Sequence, residues 1–169
     1  MTAFEVAVQD PPGAAIAAAV GVDRIELCSA LAIGGVTPSR GLIEIAVAAG
    51  TPVHVLVRPR GGGFAYDSDE VGLIVRDVAE AVRAGAAGVV FGATARGAID
   101  VETMRATKDA AAGIEVTFHR AFDTVPDRRS TCSPASAWIA CSPPLEPPAP
   151  RTRPVSSPPS CSMRAGACR

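Results

Sequence analysis

Four glycines, Gly21, Gly50, Gly85 and Gly113, stand 29, 35 and 28 residues apart, each closing an alanine-rich run. Glycine tolerates the left-handed backbone that follows a helix C-terminus, so each one marks a helix end. Short β-rich runs lie between the helices. The spacing predicts strands at 4–9, 24–28, 52–59, 88–93 and 115–122, and helices at 12–20, 39–49, 68–84 and 101–112. Strand followed by helix in every unit means parallel strands joined by right-handed crossovers. The third helix has the clearest pattern. Val71, Ile74, Val75, Val78, Ala79 and Val82 form one apolar stripe, and Asp67 with Glu70 matches a capping box. Thr37-Pro38 reads as an N-cap followed by proline at the first helical position.

Two architectures suit such a chain, an open doubly wound sheet and a (β/α) barrel. Side-chain alternation along the strands separates them. Val53, Val55 and Val57 oppose His54, Leu56 and Arg58; Val116 and Phe118 oppose Glu115, Thr117 and His119. One face is always apolar, and the other carries Glu5, Glu26, Arg58, Arg60, His119 and Asp123. A sheet covered on both sides by helices needs two apolar faces. A barrel wall with a polar interior needs one. The expectation is an α/β fold of the (β/α)8 TIM-barrel family, restricted to about five strands and four helices.

Composition divides the chain at Asp127. Residues 1–127 hold 16 acidic and 10 basic side chains, a net −6, and residues 128–169 hold one acid and six arginines, a net +5. Nine of the 15 prolines and four of the five cysteines fall in the second part. The expected domains are therefore a partial barrel over 1–127 and a Pro/Ser/Arg/Cys-rich stretch over 128–169. That stretch reads as out-of-frame translation of GC-rich coding DNA, ahead of a disordered proline-rich tail or a small separate module. Its cysteines, Cys132-x8-Cys141 and Cys161-x6-Cys168, lack zinc spacing. A piece of barrel also leaves the edges of its first and fifth strands unpaired, so the purified chain is expected to be unstable, insoluble or inactive.

The overall charge of −1 points to neither nucleic acid nor an anionic membrane. No secretory signal opens the chain, and apolar runs such as Ala14 to Val20 are far too short to cross a bilayer. A cytoplasmic location is expected.

Barrel active sites lie at the C-terminal ends of the strands. Cys28, Arg58, Arg60, His119, Arg120 and Asp123 fall at such ends. Arg58-Pro59-Arg60 offers two guanidiniums on one side, suited to a carboxylate or phosphate or to ion pairs with Glu26 and Asp123. Gly61-Gly62-Gly63 matches no phosphate-loop pattern and reads as a flexible connection. His119 is a candidate general base, acid or metal ligand, with Asp123 on the same parity to orient it. Arg120 points toward the helices unless the strand stops early. Glu5 and Glu26 lie deeper, where a buried carboxylate neutralises an arginine or holds the histidine. Cys28 with His119 has the ligand types for Cu(I) or zinc, without a metal-binding spacing. His54 reads as core.

Five collinear stretches carry a family resemblance. They are Val22-Asp23-Arg24-Ile25-Glu26-Leu27-Cys28, Gly34-Gly35-Val36-Thr37-Pro38-Ser39, Pro52 through Gly62, Phe64-Ala65-Tyr66 and Thr117-Phe118-His119-Arg120-Ala121-Phe122-Asp123. Over residues 4 to about 127 the chain resembles the first half of a copper homeostasis protein of the CutC family. The resemblance implies a TIM barrel, a cytoplasmic homo-oligomer, and copper handling through cysteines. Some members carry a cysteine pair after the first-strand glutamate; Ala7 and Val8 stand here, leaving Cys28 as the matching thiol. The alternative is a barrel enzyme for a small anionic metabolite, with Arg58 and Arg60 gripping the anion and His119 moving a proton, or a fragment without activity.

Overall fold

The computed structural model describes residues 3–126; the tail, its four cysteines and its reading-frame origin lie outside the described residues. In chain order the elements are β1 (Glu5–Val8), α1 (Pro11–Val20), β2 (Arg24–Leu27), a 3-10 turn (Leu31–Ile33), α2 (Arg40–Ala48), β3 (Val53–Leu56) and α3 (Ser68–Arg83). β4 (Gly88–Phe91), β5 (Thr94–Ala95), β6 (Ala98–Ile99), α4 (Val101–Ala110), β7 (Glu115–Phe118) and a second 3-10 turn (Arg120–Thr124) follow.

Local chemistry sets the helix ends. Asp10 accepts from Gly13 N–H at 2.7 Å, Ser39 from Leu42 at 3.3 Å and Asp100 from Thr103 at 3.1 Å. Asp67 and Glu70 close the expected capping box on α3. Each such cap is worth about 1 kcal/mol. Thr37 is not the cap of α2. Its hydroxyl oxygen instead accepts the Arg58 N–H at 2.9 Å, and Ser39 caps the helix.

The sheet runs β1-β2-β3-β4-β7, every pair parallel. Spatial order equals chain order, so no crossover reverses direction. With right-handed crossovers, all four helices then lie on one side, as in a barrel wall and unlike a doubly wound sheet. The sheet is also curled. Arg24 on β2 pairs with Glu5 on β1 and, at 3.2 Å, with Glu115 on β7. β2 and β7 are three strand spacings apart, about 14 Å in a flat sheet. Curvature brings their inward side chains together. Among the described residues no helix is long and apolar enough to cross a membrane.

The core lies between sheet and helices. Ile25, Leu27, Val53, Val55, Val57, Val89 and Phe91 project outward against Ile43 and Ala46 of α2, Ile74, Val78 and Ala81 of α3, and Met104 of α4. Full burial of each large apolar side chain contributes about 1.5–3 kcal/mol.

Three local details differ from the sequence expectation. β3 stops at Leu56 and β7 at Phe118, because Pro59 lacks a ladder N–H and because His119 opens a 3-10 turn. Phe118 and Phe122 had the look of continued alternation. They meet instead as an edge-on ring pair across the turn, centroids 6.3 Å apart. A small antiparallel hairpin, β5–β6, was not expected. Its turn, Arg96-Gly97, has φ of 52° and 78°, the positive values that a tight two-residue hairpin requires.

Candidate functional site

The inward face of the sheet is layered. Ala7, Glu26, His54, Gly88 and Glu115 stand in register near its N-terminal end. Above them Leu56, Val90 and Thr117 align, with Cys28 in the same small apolar cluster. Two residues further along their strands come Arg58, Gly92 and His119.

The lowest layer is an ion-pair network. Glu5 is held by Arg24, at the end of the sheet away from the strand C-termini. His54 Nε2 lies 3.9 Å from Glu115 Oε2. Burial holds the His54 imidazole below its usual range, Arg24 adding to the effect against Glu115 and Glu5. Burial raises the Glu26 carboxyl, with Glu5 adding to it and Arg120 and Arg24 opposing.

The middle layer insulates. Cys28 is 1% exposed, and its Sγ lies 3.6 Å from the Val8 carbonyl oxygen. Burial first, then the Glu26 charge, pushes the thiol up to about 11. Cys28 is thus a thiol at neutral pH, not a thiolate.

The upper layer gathers the cations. Arg58 is buried, and its guanidinium donates to the carbonyls of Gly34 (3.2 Å), Gly35 (3.0 Å) and Gly62 (2.6 Å). It ties the loop after β2 to the loop after β3. Its Nε is buried without a hydrogen-bond partner among the described residues. Arg120 reaches across from the end of β7 and donates to Gly34 O at 3.3 Å. Gly34 has φ of 87°, the left-handed region that favours glycine, and a Cβ there would also stand 2.1 Å from Arg120 Nη2.

Phe64 is the platform between these groups. The Arg58 guanidinium sits 5.0 Å from its ring centroid and that of Arg120 6.0 Å, within cation–π range. The His119 ring is 4.9 Å away on a tilt. A backbone bond from Thr94 N–H to Phe64 O, 2.9 Å, anchors this loop.

His119 is packed by Phe64, Phe91 and Phe118. Its Nδ1 accepts the Ala121 N–H at 3.2 Å, and its Nε2 is buried with no partner among the described residues. Burial above all brings its pKa down to about 4, with Arg58 and Arg120 contributing and a hydrogen bond to its own backbone opposing. At Gly92 a Cβ would stand 2.6 Å from His119 Nδ1, so glycine makes room for the ring.

Several sequence-level candidates therefore sit together and others do not. Arg58, Arg120 and His119 converge around Phe64 at the strand ends. Arg60 diverges from Arg58. Once the strand ends before Pro59, its side chain turns to Glu70 and to the carbonyls of Gly63 and Ala65, at 3.1 and 3.0 Å. Its guanidinium also lies 5.4 Å from the Tyr66 ring centroid. Arg60 belongs to the N-terminus of α3. Glu5 belongs to the opposite end of the sheet. Asp123 is exposed on the turn after His119, and the Ala121 N–H meets the imidazole at Nδ1. Phe64 and Gly92 were not picked out as site residues. A glycine on an inward strand position was the available signal for Gly92, since it marks a close approach.

The model of the CutC family matches residues 2–136. A family protein CutC of Sinorhizobium medicae is 48% identical over 125 residues, 73% of this chain and 51% of the relative. One from Caulobacter vibrioides is 48% identical over 126 residues, with the same shares. The chain spans about half the length of the curated relatives it matches. In the solved structures, a CutC protein of Streptococcus agalactiae named for copper homeostasis superposes with a TM-score of 0.68 at 32% identity. That alignment covers 74% of this chain and 62% of the other.

Proposed function

From the premise that this chain belongs to the CutC family, we propose that its strand ends bind a small anionic metabolite. One observation carries the reading: the side chains of Arg120, Arg58 and His119 gather around Phe64, and Arg58 Nε and His119 Nε2 are buried with no hydrogen-bond partner among the described residues. Buried polar atoms ordinarily have partners, and an oxyanion supplies acceptors to all three. Arg58 is the fixed cation, committed to three carbonyls. Arg120 is exposed, makes one long hydrogen bond, and is the cation with donors to give.

The residues do not fit a copper site. Cys28, the cysteine of the described residues, is buried and neutral, whereas Cu(I) is taken by thiolates. Among the described residues no group of three His, Cys, Asp or Glu side chains gathers where a metal could sit. Copper titration of the wild-type chain and Cys28→Ser tests this directly: the same stoichiometry is expected from both.

Calorimetric titration with inorganic sulfate and phosphate tests the anion reading. The wild-type chain binds, and Arg120→Ala loses at least about tenfold in affinity, the worth of one charge-assisted hydrogen bond. Equal affinity in Arg120→Ala, or no heat up to about 10 mM anion, overturns it.

A further inference from the structure

Resting on the anion-binding reading, we infer that His119 is locked as the Nε2–H tautomer and serves the site as a hydrogen-bond donor, not as a base. A neutral imidazole has one donor and one acceptor nitrogen, and the hydrogen bond made by one dictates the other. The Ala121 N–H points at Nδ1, 3.2 Å away. A backbone amide can only donate, so Nδ1 is the acceptor and the proton resides on Nε2.

The surroundings hold this arrangement. Phe64, Phe91 and Phe118 pack the ring, and it lies against the Gly92 backbone where a Cβ would stand. Burial, with the Arg58 and Arg120 charges, disfavours a second proton and outweighs the ring's own backbone carbonyl, which favours one. The imidazole therefore stays neutral while presenting an N–H.

This sharpens the class of ligand. Nε2–H of His119 and Nε–H of Arg58 are both buried donors with no hydrogen-bond partner of good geometry among the described residues, and the Tyr66 hydroxyl beside Arg58 is in the same condition. The ligand must place acceptor oxygens there, as a carboxylate, sulfate or phosphate ester does. A ligand presenting a group that can only donate at that point, such as an ammonium, is rejected. Proton abstraction through Nε2 of His119 is closed as well, because that nitrogen has no lone pair to offer.

Long-range proton–nitrogen NMR of the wild-type chain reads the tautomer without substitution. Nε2 of His119 is expected to keep a pyrrole-type shift and Nδ1 a pyridine-type shift between about pH 8 and pH 6. Sulfate is expected to move the Nε2–H signal. His119→Gln, which keeps an N–H at a similar reach, holds sulfate affinity within about threefold, while His119→Leu loses about tenfold. An Nδ1–H tautomer, or a doubly protonated ring at pH 6, with sulfate still bound through Arg120 overturns the inference and spares the anion reading. If sulfate binds neither the wild-type chain nor Arg120→Ala, both fall. If sulfate binds and the Nε2–H signal does not move, the donor role falls alone.

Discussion

Lowering the pH should weaken the fold through His119 by an amount that follows from its surroundings. The imidazole falls from an ordinary 6.5 to about 4 in the folded chain, chiefly through burial. Below pH 6.5 the unfolded chain takes up a proton that the folded chain refuses. The stabilisation is thus complete above about pH 6.5 and is lost as pH falls toward 4. The gap of about 2.5 units, at about 1.4 kcal/mol each, sets a ceiling near 3 kcal/mol. Between pH 7 and pH 5 the loss is about 2 kcal/mol. His54 is also depressed and adds a slope of the same sign, while the raised Glu26 opposes it. Comparing wild type with His119→Gln cancels both. Urea unfolding at pH 7, 6 and 5, followed by circular dichroism, supplies the stabilities. The advantage of wild type over His119→Gln should shrink by about 2 kcal/mol across that range. An advantage that stays constant within about 0.5 kcal/mol, or that grows as the solution becomes acidic, refutes the buried neutral imidazole.

Gly92→Ala should damage the site from the far side of the ring. The new methyl would lie 2.6 Å from His119 Nδ1 and 3.1 Å from Ala121 Cβ, so it breaks the Ala121 N–H bond and costs about 1–3 kcal/mol in urea unfolding. Arg60→Ala should leave sulfate affinity within about twofold, since its guanidinium is engaged with Glu70 and loop carbonyls; a tenfold loss in calorimetry would return Arg60 to the pocket.

The helix-ending glycines and the capping box were legible because they depend on a few neighbouring residues. Gly21, Gly50, Gly85 and Gly113 all have positive φ, as their positions implied. The inward polar face was legible from alternation, since period 2 survives wherever a strand is straight. Strand ends were not. Arg58 and Arg60 share a parity on paper, yet the chain leaves the ladder before both, and the turn at Pro59 sends one to the loop carbonyls beside Phe64 and the other to α3. The same holds after Phe118, where the 3-10 turn brings Arg120 inward, a direction that alternation denied it. The hairpin at Arg96-Gly97 left a turn signal too short to stand out. Partnership lay furthest from view. That Glu5 meets Arg24, or that three glycine carbonyls take up Arg58, depends on the curl of the sheet and on loops brought together across it.

That curl has a bearing on when the pocket can exist. The strands pair with their neighbours in chain order, so each β/α unit can dock on the one before it as the chain grows. Some contacts across the inside do not obey that order. Arg24 meets Glu115 across 91 residues, and Arg120 meets the Gly34 carbonyl across 86. Neither can form until β7 and its following turn have arrived. His119 and Arg120 come in with that same segment. A ribosome-bound chain halted before Glu115 could hold four paired strands and the cap of every α-helix, and would still lack the proposed anion site.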